Sequence, residues 1–212
     1  MISIDEYKRN PCRVSPIPYW KMRTFKTPNN ITVIHDEEYT DIQNNKSKDT
    51  LYFRLKHNLK NIELVNLDKR FKYRYVDFNN YNDLQEVVYI INESYTDIKV
   101  NIKQVEQWTR SQVFDPSLWV FIIDINNEKA VALGIAEVDK EVPEGALEWI
   151  QVLPEYRNCK LGEAIVKRLL VNLLDKVEFC TVSGEVNNRT DPEKLYRRCG
   201  FQGNDIWHIL AN

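Results

Sequence analysis

Nowhere in the 212 residues do some 18 apolar side chains run together. The opening MISIDEYKRNPCRV lacks the apolar core of a secretory leader. A soluble, cytoplasmic protein with no membrane partner is therefore expected. There is no basic tail and no long run of lysine and arginine. The 29 basic and 31 acidic residues leave a formal charge of −2, which offers nucleic acid no general attraction. Cysteine is scarce: Cys12, Cys159, Cys180 and Cys199 form no C-x-x-C pair and have no zinc-ligand spacing, so no metal site is expected. Cys180, within an apolar run, reads as a small buried hydrophobe. The GxxxxGK[ST] and GxGxxG strings are also missing, and with them the usual sequence support for ATP, GTP or NAD.

What is present is most informative from Leu147 to Val166, LEWIQVLPEYRNCKLGEAIV. The apolar LEWIQVL reads as a strand that stops at Pro154, which cannot donate to a sheet ladder, and an amphipathic helix begins near Lys160. The loop between them carries Arg157, Asn158, Cys159 and Lys160, with Gly162 just beyond. Unpaired N–H groups at a helix start, with the positive end of its dipole, make an anion site that needs no metal. The two cations strengthen it. Cys159 reads as an oxidation-sensitive thiol or a bystander.

The pattern V-x-P-x-x-R-x-x-x-x-G-x-A from Val152 to Ala164 resembles the GNAT superfamily of acyl-CoA-dependent N-acetyltransferases, whose signature is a strand, then Q/R-x-x-G-x-G/A, then a helix. A second block agrees: Asn187 and Asn188, followed by PEKLYRRCGF from Pro192 to Phe201, look like the closing segment of that family. The resemblance covers roughly residues 71–212 and implies an α/β fold with a mixed sheet. One position departs: the first loop glycine is here Lys160, and lysine reaches positive φ only at a cost.

Residues 1–70 read as a β-rich N-terminal extension docked on the acetyltransferase domain of 71–212. Two strands, ITVIHD and LYFRLK, flank a polar NNKSKD turn. Trp20, Tyr39, Tyr52 and Phe53 supply apolar mass, but the segment alone would struggle to bury a core. They read as packing residues, or as walls of an acceptor pocket. From Phe71 the pattern is β–α–α–β–β–β–α–β–α–β. Asp83 is expected to cap the first of these helices, and Ile102, Val105 and Trp108 mark the second. LWVFIID and AVALGIAEVD form a hairpin. Leu161, Ala164, Ile165, Arg168, Leu169 and Val171 are expected on the sheet-facing side of the next helix. Asp191 and Pro192 are expected to start the last one.

The resemblance implies the site. Acetyl-CoA is the expected cosubstrate, held through the main chain of Ile150, Gln151 and Val152 and through the loop and helix start from Arg157 to Ala164, which includes Leu161 and Glu163. Asn187 or Asn188 is implied to contact the pantetheine arm. Tyr196 matches the family tyrosine that protonates the leaving thiolate, its alternative being a packing residue. Glu148, a carboxylate in an apolar strand, must be solvated, paired or used as a base. Glu137 and Asp139 compete for that role. His208 reads as structural. Arg197 and Arg198 read as a solvated helix face, with the CoA 3′-phosphate as an alternative. The implied partner is an amine on a small molecule, peptide or protein, and homodimerisation stays open. The rival reading is a non-catalytic acyl-CoA sensor on the same fold.

Overall fold

The computed structural model describes residues 2–40, 48–95 and 98–211. From Phe71 the elements follow the expected order: β3 (Phe71–Tyr75), α4 (Tyr81–Ser94), α5 (Ile102–Trp108), β4 (Trp119–Asp124), β5 (Lys129–Asp139), β6 (Glu144–Val152), α6 (Leu161–Leu173), β7 (Phe179–Glu185), α7 (Pro192–Arg198) and β8 (Gln202–Ala211). Before them come β1 (Ile31–His35) and β2 (Lys48–His57). The first helices α1 (Ile4–Arg9), α2 (Pro11–Val14) and α3 (Tyr19–Thr24) gave no periodic signal at their lengths of four to six residues. Of the NNKSKD turn, Lys48 and Asp49 begin β2; the other residues lie outside the described ones.

One eight-stranded mixed sheet runs in the order β1-β8-β2-β7-β6-β5-β4-β3. Every neighbouring pair is antiparallel except β6 and β7, which are parallel. A parallel pair needs a crossover, and α6 supplies it. One face of the sheet packs on α6 and α7, and the other on α4 and α5. Beneath α6 the buried residues are Leu161, Ala164, Ile165, Val166, Leu169, Leu170 and Leu173, so the apolar stripe is wider than expected and Val171 lies at its edge. Gly134 of β5 makes this fit possible: a Cβ there would come within 2.3 Å of Ile165 Cγ2.

Of the two capping expectations, that for Asp83 is corrected and that for Asp191 and Pro192 is met. Asn80, not Asp83, caps α4; Asp83 is buried and accepts from the Asp77 N–H while pairing with Arg74. Asp191 holds the cap position of α7 in the left-handed region, φ 48°, without a side-chain cap bond.

Strand β2 lies inside the sheet, where it pairs with β7 from Tyr52↔Glu185 to His57↔Cys180 and with β8 on its other side. Its Arg54 is fully buried against Glu144 of β6, which is buried too. Arg54 Nη2 donates to Glu144 Oε1 at 3.1 Å, to Tyr7 Oη at 3.1 Å and to Thr181 Oγ1 at 3.0 Å. Its Nη1 donates to the Pro16 carbonyl and to Ser183 Oγ. Glu144 also accepts from the Tyr7 hydroxyl at 2.8 Å, the Thr181 hydroxyl at 2.6 Å and the Tyr19 N–H at 3.1 Å. A buried ion pair recovers its desolvation cost only when its remaining donors and acceptors are met, as most are here.

Arg54→Ala removes one partner and leaves the other charge stranded, so it should destabilise the fold by about 3–5 kcal/mol. Urea unfolding followed by circular dichroism measures this. A loss below about 1 kcal/mol, the level of an exposed pair, would contradict the role given to Arg54.

Candidate functional site

Strands β6 and β7 stay paired only from Glu144↔Phe179 to Leu147↔Val182. Beyond that point β6 runs on to Val152 and β7 to Glu185, and β7 keeps only β2, which pairs with its other edge from Cys180 to Glu185. The parting coincides with a bulge. On β5, Ile135 faces Trp149 and Ala136 faces Leu147, so Glu148 is an extra residue with no partner. A bulge re-aims the side chains around it. Leu147, Ile150 and Val152 accordingly all reach the α6 side, although a regular strand could not put Leu147 and Ile150 on one face. Trp149 turns to the α4 and α5 side. Gln151 is buried and donates through Nε2 to Tyr95 Oη at 3.1 Å.

After β6, a 3-10 turn at Pro154–Tyr156 leads into an exposed loop of Arg157, Asn158, Cys159 and Lys160. Asn158 and Lys160 have φ of 64° and 59°, so the chain does adopt the left-handed geometry at Lys160 where the resemblance wanted glycine. The cost of that conformation in lysine is about 1 kcal/mol. No side chain caps α6, and its first helical bond comes from the Ala164 N–H to the Lys160 carbonyl. The N–H groups of Leu161, Gly162 and Glu163 therefore lack helical acceptors, as an anion site requires. Glu163 is engaged in an ion pair with Lys167 at 2.9 Å. Gly162 answers to a different demand than the loop: an added Cβ would meet Leu195 Cδ2 of α7 at 3.2 Å, so its smallness lets α6 and α7 approach.

Tyr196 of α7 is buried, its ring near Phe53 of β2 and Phe201 at centroid distances of 6.2 and 5.8 Å. Burial pushes its phenol well above the usual tyrosine value, reinforced by Tyr95, Cys199, Cys180 and Glu148. It therefore keeps its proton at neutral pH. Asn188 Oδ1 accepts from the Thr190 N–H and hydroxyl and so shapes the turn before α7, whereas Asn187 is exposed.

Glu148 faces Glu137 of β5 across a cavity of about 220 Å³ lined also by Trp20, Lys21, Trp108, Phe114, Trp119, Ile135 and Trp149. Lys21 of α3 pairs with Glu148 and lies 3.9 Å from Glu137. Trp20 Nε1 donates to Glu137 Oε2 at 3.0 Å. Burial, and after it the negative charge of Glu148, outweigh the Lys21 charge and the Trp20 bond, and Glu137 is pushed up to about 8. Of the three carboxylates considered as bases, Glu137 and Glu148 thus meet in one cavity. Asp139 lies further along β5 and accepts from the Glu141 N–H. Lys21 and the tryptophans of α5, β4 and β6 had no local sequence signal, because only the folded sheet brings them together. Trp20 lines the cavity, while Phe53 is core and Tyr39 stacks on His208 at 3.8 Å.

The remaining residues take ordinary places. His208 bridges Asp49 and Asp36. Arg197 pairs with Glu193 and donates to the Gly203 carbonyl, and Arg198 is exposed. Cys180 is buried in β7 and Cys159 is exposed. Among the described residues no cluster of His, Cys, Asp and Glu could hold a metal ion, and no helix is long and apolar enough to cross a membrane.

Residues 116–203 match the family model of the acetyltransferase (GNAT) domain. No curated protein matches the sequence. Among solved structures, a GCN5-related N-acetyltransferase from Sphaerobacter thermophilus aligns with a TM-score of 0.73 at 14% identity, over 91% of this chain and 63% of that one, so this chain spans less than two thirds of its length. A GCN5-related N-acetyltransferase from Kribbella flavida aligns with a TM-score of 0.59 at 11% identity, over 86% and 67% of the two chains. The ribosomal-protein-S18-alanine N-acetyltransferase from Escherichia coli aligns with a TM-score of 0.52 at 19% identity, over 66% and 92%. At these identities the likeness is one of fold: the mixed sheet with its flanking helices is the GNAT fold.

The raised pKa of Glu137 has a definite sign. The folded protein keeps a proton there that the unfolded chain releases near 4.5, so the contribution to stability is full in acid, falls as pH rises through about 8, and is flat beyond. With Trp20 bonded to this carboxyl, tryptophan emission should titrate with a midpoint of about 8, and Glu137→Gln should abolish the step. A native midpoint near 4.5 would place the proton elsewhere.

Proposed function

We propose that this chain, which carries a GNAT acetyltransferase domain over residues 116–203, is an N-acetyltransferase that passes the acetyl group of acetyl-CoA to an amine by direct attack. The observation that carries the reading is the parting of β6 from β7 at the Glu148 bulge, immediately before the uncapped N-terminus of α6. An opening between two parallel strands leaves main-chain groups of Ile150, Gln151 and Val152 free of the β7 ladder on that side. They are available to an extended, amide-bearing arm. The N–H groups at the start of α6, with Arg157 and Lys160, suit a pyrophosphate. These residues fit acetyl-CoA, which when bound supplies an acetyl group activated as a thioester. Asn187, with an exposed side chain, suits the pantetheine arm better than Asn188, which is committed to its turn.

The side chains divide the proton work. An amine arriving at neutral pH is charged and must lose a proton before it can attack. The Glu137 and Glu148 pair can take it once Glu137 is ionised, as it is in a minority of molecules at neutral pH and in most of them above about 8. The buried phenol of Tyr196, protonated under the same conditions, can deliver a proton to the departing sulfur. The charge of Glu148 adds to the burial that keeps the Tyr196 phenol protonated. Separate pKa values for acid and base let both work at one pH.

Calorimetry with CoA should show saturable binding that the double variant Arg157→Glu with Lys160→Glu weakens by about tenfold or more, two charge-assisted contacts having been reversed. Release of free thiol from acetyl-CoA with a panel of amines then separates an enzyme from a binding-only module. Tyr196→Phe keeps the ring packing and should lower single-turnover transfer by about 10- to 10⁴-fold with CoA affinity retained. Equal rates would remove Tyr196 as the acid.

A further inference from the structure

The cavity around Glu137 and Glu148 holds more than a base. Four of the five tryptophans in the chain, Trp20, Trp108, Trp119 and Trp149, line it together with Phe114. The rings support one another: Trp108 stacks on Trp149 at 5.5 Å and 25°, and Phe114 meets Trp119 at 5.9 Å. Aromatic faces and carboxylates together favour a cation, the rings through their quadrupoles and the acids through charge. A cation is already there. Lys21 reaches in from α3, pairs with Glu148, stands 3.9 Å from Glu137 and places its ammonium 5.3 Å from the Trp20 ring centroid. Its side chain is 28% exposed, so it enters from the mouth of the cavity and not through the core.

An ammonium on a slim alkyl arm is what a lysine side chain offers, and this one ends at the carboxylates that the acetyltransferase reading uses to deprotonate the acceptor. We propose that the cavity is the acceptor subsite for a cationic primary amine on an unbranched alkyl arm, and that Lys21 is an internal ammonium occupying it until such an acceptor displaces it. The substrate class rests on the acetyltransferase reading; the cation selectivity of the cavity does not. Helix α3 is then the specificity element, since it brings both Lys21 and Trp20 to the mouth. A neutral alcohol of equal length would gain the apolar contacts and none of the charge. A branched or bulky amine would meet the ring walls.

The test uses the full chain without CoA and reads tryptophan emission, since the lining rings are the reporters. The probes are n-butylammonium chloride and n-butanol, at constant ionic strength. In Lys21→Met, which keeps the aliphatic stem, n-butylammonium should bind saturably and about tenfold or more tighter than in the native protein, with n-butanol much weaker. Adding Glu148→Gln to Lys21→Met should remove most of the preference for the cation. Lys21→Gln serves as the second variant should the methionine disturb folding, which circular dichroism would show. If neither variant prefers n-butylammonium over n-butanol, or if native and variant proteins bind it alike, Lys21 merely docks α3 and the proposal fails. Cation selectivity without calorimetric CoA binding would leave the subsite standing and overturn the acetyltransferase reading. CoA binding without cation selectivity would do the reverse.

Discussion

The buried pair of Arg54 and Glu144 is the interaction on which the rest of this molecule depends. A guanidinium and a carboxylate, both withdrawn from water, are tolerable only if nearly every donor and acceptor is met. Meeting them recruits Tyr7, Pro16, Tyr19, Thr181 and Ser183, and so ties the N-terminal helices to β2, β6 and β7 at one point. Glu144 and Thr181 belong to the short parallel stretch in which β6 and β7 are still joined. The knot therefore closes the pair at one end, and the strands open at the other. Because β2 pairs with β7 from Cys180 to Glu185, β7 keeps a neighbour where β6 leaves it. A strand from the first part of the chain thereby stabilises an opening made by two strands from the last part.

The opening and the acidic cavity share one cause. The bulge at Glu148 adds a residue to β6 where the parallel ladder ends, and this turns Glu148 and Trp149 towards Glu137 and the aromatic walls while Ile150 and Val152 stay with α6. Burial and the neighbouring charge of Glu148 make ionisation of Glu137 costly, so Glu137 holds its proton to about 8. Lys21 moderates this without cancelling it. The result is a carboxyl of raised pKa beside the Lys21 ammonium, both held where α3 meets β5 and β6.

Much of the fold was legible because it rests on local rules. The strand, proline, basic loop and amphipathic helix from Leu147 to Leu173 follow from side-chain periodicity and the missing proline N–H. The element order from Phe71 follows likewise. The short helices α1 to α3 were not legible, since four to six residues cannot display a helical period. LYFRLK reads as a strand, and β2 contains it, but nothing local shows which neighbours its charged residues meet. Arg54 is buried because those unforeseen helices cover its face. Asp83 looked like a cap because acidic residues favour helix starts, but an arginine on the neighbouring strand claimed it.

By itself the sequence determined the mixed α/β class, the strand–loop–helix junction at the start of α6 and the chemical types available near it, because each depends on residues adjacent in the chain. Tertiary structure alone decided that Glu137 keeps its proton to about 8 beside Glu148, that Lys21 joins them from more than a hundred residues away in sequence, and that four tryptophans line the same cavity. A carboxylate's pKa and a lysine's partner are set by burial and by charges a few ångströms off, and those distances exist only once the sheet has closed around the Arg54–Glu144 pair.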